Sequence, residues 1–125
     1  MLNITTFLDA NSKRLDKDVL YNPTTGNKYN SGEILSIVSE IGRDLKNLGI
    51  EKGDRVLIYL NNSEEYLFSL FAIWRIGAIA IPANRVFTAA ELEYIVSDSK
   101  ATIMITDEEA KDIIDIEMYI PKNIS

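Results

Sequence analysis

The 125-residue sequence contains no cysteine and no histidine. Disulfide frameworks, thiolate nucleophiles, histidine general bases, Ser-His-Asp triads and the common zinc sites are excluded together. Any chemistry must come from Asp, Glu, Lys, Arg, Tyr, Ser or Thr. Basic charge is also short: 13 Lys and Arg face 19 Asp and Glu, a net charge of −6. Phosphate backbones and acidic lipids call for clustered cations, so no nucleic-acid partner is expected, although a small anionic ligand remains open. The most apolar window, "YLFSLFAIWRIGAIAIP", is interrupted by Arg75 and Gly77 and is too short on either side to cross a bilayer, so no transmembrane segment is expected. The start, "MLNITTFLDANSKR", lacks the basic and apolar stretches of a signal peptide. With no cysteine to oxidise, a cytoplasmic location is expected.

What is present suits an ordinary globular protein, with 46% hydrophobic and 26% charged residues. A single domain over residues 1–125 is the expectation, long enough to bury a core without metals or disulfides. Ile4, Phe7, Leu8 and Leu15 fall on one side of a helical pattern and predict a short N-terminal amphipathic helix. "DVLYNPTTGNKYN" then places two β-prone pieces around a Pro-Thr-Thr-Gly centre, which predicts a hairpin.

Helix signals agree from Asn30 to Gly49. Asn30 can cap, Glu33 stands three residues later, and Ile34, Val38, Ile41, Leu45 and Leu48 repeat at helical spacing before a terminating glycine. "EKGD" turns the chain into the strand-like run "RVLIYL". The same order recurs: Asn62 with Glu65 opens a helix ending near Gly77 and followed by "AIAIP", and Thr88 with Glu91 opens another followed by "ATIMIT". A weaker helix, "DEEAKDII", and a last strand, "EMYIP", complete the pattern. Strands alternating with helices of this length predict an α/β fold, with an open, mainly parallel sheet flanked by helices. The helix from Tyr66 to Ile76 is apolar almost all round, which places it deep between layers and makes Trp74 a core residue.

"PTTGNK" suggests a phosphate loop, but a Walker-type loop needs two glycines bracketing four residues, then Lys and Ser or Thr, between a strand and a helix. Gly26 stands alone and Tyr29 follows Lys28, so the turn is the better reading. In an open parallel sheet, ligands bind beyond the carboxyl ends of the strands. Three loops qualify: Asn61-Asn62-Ser63, Ala83-Asn84-Arg85 and Thr106-Asp107. Asn62 reads as a helix cap. Asn61 could bond loop backbone or a ligand, with the structural role favoured. Arg85 could grip a carboxylate or phosphate, although an exposed loop arginine is usually just solvated. Lys111 sits among carboxylates, and Glu64-Glu65 and Asp107-Glu108-Glu109 suit first helical turns. No catalytic, cofactor or metal site is legible.

The order of the pieces is more specific than any one of them. "TGNKYNSGEI" and the stretch from "LKNLGIEKGDRVLIYL" to "ATIMIT" closely resemble the N-terminal region of the adenylate-forming superfamily, which includes acyl-CoA synthetases, luciferases and peptide-synthetase adenylation domains. Gly26, Tyr29, Glu33, Gly53, Asp54, Val56, Asn61, Ser63, Gly77, Ala78, Pro82 and Asn84 stand where that pattern wants them. Asn30 replaces a usual Thr, Ser31 a usual Tyr, and Arg85 follows Asn84 where many relatives carry Pro.

The resemblance implies the first subdomain of a large N-terminal domain in a longer enzyme, most like an AMP-forming acyl-CoA synthetase. Such an enzyme activates a carboxylic or fatty acid with ATP and Mg²⁺ to an acyl-adenylate, then passes the acyl group to CoA. The family's T-T-G-x-P-K loop, nucleotide and metal contacts and catalytic lysine lie downstream of this region, so the chain is expected to be an N-terminal fragment, inactive alone, whose chief partner is the remainder of the parent. Asn61 and Asn84 are the substrate-site candidates, with loop-fixing hydrogen bonds as the competing role. A free-standing, non-catalytic doubly wound binding module, or a fragment of another adenylation enzyme, is the alternative. Apolar surface meant for the rest of such an enzyme predicts self-association, and a clean monomer by light scattering would contradict it.

Overall fold

The computed structural model describes residues 18–122. The expected N-terminal helix, with Ile4, Phe7, Leu8 and Leu15, lies outside these residues. Strands β1 (Asp18–Tyr21) and β2 (Lys28–Asn30) pair antiparallel. The turn between them closes through Gly26 N–H donating to the Asn22 carbonyl at 2.8 Å, and Thr24 N–H donating to Asn22 Oδ1 at 3.0 Å. Gly26 has φ +78°, a conformation that a side chain disfavours. The suspected phosphate loop is therefore a hairpin turn.

Helix α1 (Ser31–Asn47) follows directly, opened by a reciprocal capping box between Asn30 and Glu33 and buried along Ile34, Val38, Ile41 and Leu45. Gly49, at φ +100°, ends it as anticipated. Strand β3 (Arg55–Ile58), helix α2 (Glu64–Arg75), strand β4 (Ile79–Pro82), helix α3 (Ala89–Ser99) and strands β5 (Ile103–Ile105) and β6 (Glu117–Tyr119) complete the described fold. α3 is opened by the expected box between Thr88 and Glu91.

The sheet runs β4-β3-β5-β6, with every neighbouring pair parallel. Alternation along the strands divides the core between two faces. Val56, Ile58, Ile103 and Ile105 bury against α1, α2 and the hairpin, whereas Leu57, Tyr59 and Met104 bury against Leu92 of α3. β4 lies on one side of β3 and β5 on the other, so the chain reverses direction across β3 and its crossover helices cover opposite faces. At the β6 edge, the Tyr119 hydroxyl donates to Asp44 on α1 at 2.7 Å. Burial first, and then the Asp44 carboxylate, push the phenol pKa well above the ordinary tyrosine range.

Three expectations need correction. "DEEAKDII" does not form a helix: Asp107 carbonyl accepts from Ala110 and Lys111, and Asp112 at φ +74° then stops the chain after one turn. Ala110 and Ile114 still bury on the second face. The α2 cap is Ser63 rather than Asn62, and Ser63 makes no side-chain capping bond. Trp74 is 41% exposed, beside Phe71. α2 buries Phe68, Ala72 and Ile73, while Leu67, Leu70 and Trp74 form a second apolar stripe that the described residues leave partly or largely uncovered.

Candidate functional site

A parallel sheet gathers its carboxyl ends at one edge, and the loops singled out in the sequence meet there. After β3, Tyr59 and Leu60 stay buried while Asn61 and Asn62 emerge. After β4, Ala83 N–H donates to the Ile58 carbonyl at 2.9 Å, and Asn84 emerges beside β3's end. Asn61, Asn62, Tyr66, Asn84 and Arg85 line a cleft of about 410 Å³. Asn61 and Asn84, the two substrate-site candidates, thus share one cleft from two separate loops. Both also serve their loops. Asn84 Oδ1 accepts from Val86 N–H at 3.1 Å, and the Asn61 carbonyl accepts from Ser63 Oγ at 3.0 Å.

Arg85 is not merely solvated, contrary to the simplest expectation. Its Nε and Nη2 donate to Asp107 Oδ2 and Oδ1 at 3.3 and 3.1 Å, and its guanidinium lies 4.9 Å from the centre of the Tyr59 ring. Burial pushes the Asp107 carboxyl upward, but the Arg85 hydrogen bonds, the Ala110 N–H and the guanidinium charge outweigh it and hold Asp107 below the usual aspartate value. The Asp107 hydrogen bond, in turn, raises Arg85. Lys111 instead pairs on the surface with Glu108 at 3.0 Å.

Burial raises Glu65 above the ordinary glutamate value, the Ser63 hydroxyl at 3.3 Å offsets part of that rise, and Glu64 and Asp107 add to it. A carboxyl raised by folding favours the folded state at low pH and loses that advantage as pH rises through its folded pKa. Glu65→Gln is therefore expected to stabilise the chain at about pH 7, with the gain shrinking by about pH 4. Urea midpoints at the two pH values measure this, and an equal effect at both would contradict it.

The sequence reading missed the role of Glu64. This carboxylate is only 8% exposed, accepts from Asn22 Nδ2 at 2.7 Å and is reached by Thr25 Oγ1 at 3.4 Å. It moors the hairpin turn to the start of α2, next to a second hollow of about 510 Å³ that Asn22, Asn62 and Glu64 help to line. Asn22 lies 42 residues from Glu64, so no local pattern announces the contact. Thr25, in the suggestive Thr-Thr-Gly segment, thus helps Asn22 dock the hairpin.

Among the described residues, no group of three or more Asp, Glu, His or Cys is placed to hold a metal ion. Nor is any helix among them long and apolar enough to cross a membrane.

The family model described as "AMP-binding enzyme" matches residues 7–123. The chain belongs to the AMP-binding enzyme family. The 4-coumarate–CoA ligase 3 of Arabidopsis thaliana is 37% identical over 97 residues, which cover 78% of this chain and 17% of that protein. Among solved structures, the anthranilate CoA ligase AuaEII in complex with anthranoyl-AMP superposes with a TM-score of 0.83 at 26% identity, covering 95% of this chain and 25% of that one. The N-terminal domain of FACL13 from Mycobacterium tuberculosis gives a TM-score of 0.81 at 28% identity, covering 92% and 30% respectively. The AMP-binding relatives are thus several times longer than the matched layer, and the doubly wound sheet is the corresponding part of their N-terminal domains.

Proposed function

We propose that this chain forms the first α/β layer of a longer AMP-forming acid–CoA ligase. In that enzyme a carboxylic acid is joined to AMP at the expense of ATP and then passed to CoA as a thioester. The observation carrying this reading is the family match over residues 7–123 combined with the small share, 17%, of the curated ligase that the matched segment spans. ATP and Mg²⁺ would supply acid activation through the phosphate loop and metal contacts that the resemblance puts downstream of this region. The layer's own part is positional. It presents the Asn61 and Asn84 loops at the carboxyl edge of the sheet, where amide groups can orient a bound acid or nucleotide without taking or giving a proton.

Two of the relatives are named for 4-coumarate and anthranilate, which makes aryl acids the first candidates, with fatty acids the comparison. The experiment is CoA-thioester formation by the product of the continuous gene, with aryl and fatty acids offered in parallel. ATP-dependent thioester from either class supports the ligase reading and identifies the substrate class. No thioester from any acid, with the product folded, would overturn it in favour of a non-catalytic binding module.

A further inference from the structure

We propose that Arg85 and Asp107 are a positioning pair that ties the β4–α3 loop to the β5–β6 connection across the end of β3, and so fixes the cleft wall bearing Asn84. This inference rests on reading the cleft as the ligand site, although its geometry stands by itself. β4 and β5 are not neighbours in the sheet, because β3 lies between them. Ladder hydrogen bonds cannot join their carboxyl ends, so side chains must span the gap.

Three features make Arg85 suited to that span. Its fork meets both Asp107 oxygens, a two-pronged arrangement that defines orientation as well as distance. Its side chain is 18% exposed and that of Asp107 is 32% exposed, so the pair is less screened than an open surface pair. The Tyr59 ring beneath the guanidinium is itself held at both ends: its hydroxyl donates to the Phe87 carbonyl at 2.6 Å, and its carbonyl accepts from Thr106 Oγ1 at 2.8 Å. Asp107 is equally fixed, since Oδ1 also accepts from Ala110 N–H at 2.9 Å. The ends of β3, β4 and β5 are therefore linked through one aromatic ring and one ion pair. With the Arg85 charge matched by Asp107, the cleft offers its ligand amides beside an already neutralised cation.

Hydrogen exchange of the chain and its Arg85→Gln, Asp107→Asn and double variants tests the proposal. Asn at 107 keeps an acceptor for Ala110 N–H while removing the charge that holds Arg85. Each single variant is expected to speed exchange at Val86 and Phe87 by roughly tenfold, as expected for losing charge-assisted hydrogen bonds, with the double variant within about twofold of either single. Arg85→Lys, which keeps the charge without the fork, should restore only part of the protection. The critical readout is the distant one: if Asp107→Asn leaves Val86 and Phe87 within about twofold of the parent chain, the pair does not couple the loops and the proposal fails. Exchange at Val56 and Leu57 in β3 separates global unfolding from loop release. If Arg85→Gln does not fold, the Lys and Asn variants decide the matter by the same comparison. No ATP or acid enters this measurement, so its failure leaves the ligase reading standing, and absence of thioester formation leaves the pair standing.

Discussion

Replacing Phe68 with alanine is expected to lower the stability of the chain by about 3–5 kcal/mol, the usual cost of removing a buried aromatic ring. Phe68 is fully buried in α2 and meets Tyr29 of the hairpin edge-on, with ring centres 5.1 Å apart. It joins the hairpin to the helical layer from within, while Glu64 moors the hairpin turn from the rim. A chain of this length commonly has only about 5–15 kcal/mol of stability to lose, so the change should be large in any unfolding experiment. The measurement is the urea midpoint at unchanged slope, and a loss below about 1 kcal/mol would mean that the first face is not closed around Phe68 as described.

On the opposite face, Leu92→Ala is expected to cost about 2–5 kcal/mol. Leu92 is fully buried among Leu57, Tyr59 and Met104, and it is the α3 side chain most completely enclosed. Truncation would leave a cavity directly behind the strands whose carboxyl ends build the cleft. Phe68 and Leu92 belong to separate clusters on either side of the sheet, so the double variant should show the sum of the two losses within about 0.5 kcal/mol. A strongly sub-additive result would contradict the two-faced core.

Much of this architecture was legible from local signals. Asn30 with Glu33 and Thr88 with Glu91 act as written, because a capping box is satisfied within four residues of itself. The short apolar runs became parallel strands because helices of the right length separate them. The errors share a different origin. "DEEAKDII" has the acidic start of a helix, but its fate was decided by Asp112 turning left-handed and by burial of Ala110 and Ile114 against the sheet. Trp74 lies in an apolar window, but helical spacing puts it at the end of the stripe of Leu67 and Leu70, which is only partly buried, and Trp74 itself is left largely exposed.

For the candidate site, strand-end placement singled out the loops holding Asn61 and Asn84, and the fold brings both to one cleft, because the rule depends only on strand direction. It did not foresee how those loops are held. Arg85 finds Asp107 22 residues away, and Glu64 finds Asn22 on a separate hairpin, so both contacts exist only after the sheet and hairpin have assembled. Family resemblance supplied the ligase expectation that composition and spacing alone could not.

The most direct test is acid-dependent exchange of pyrophosphate with ATP, measured side by side on the 125-residue chain and on the product of the continuous gene. Pyrophosphate exchange reads acyl-adenylate formation alone, before CoA is needed. Exchange is expected from the longer product with at least one aryl or fatty acid, and none from the chain. Exchange by the chain itself, or a folded continuous product that exchanges with no acid, would contradict it.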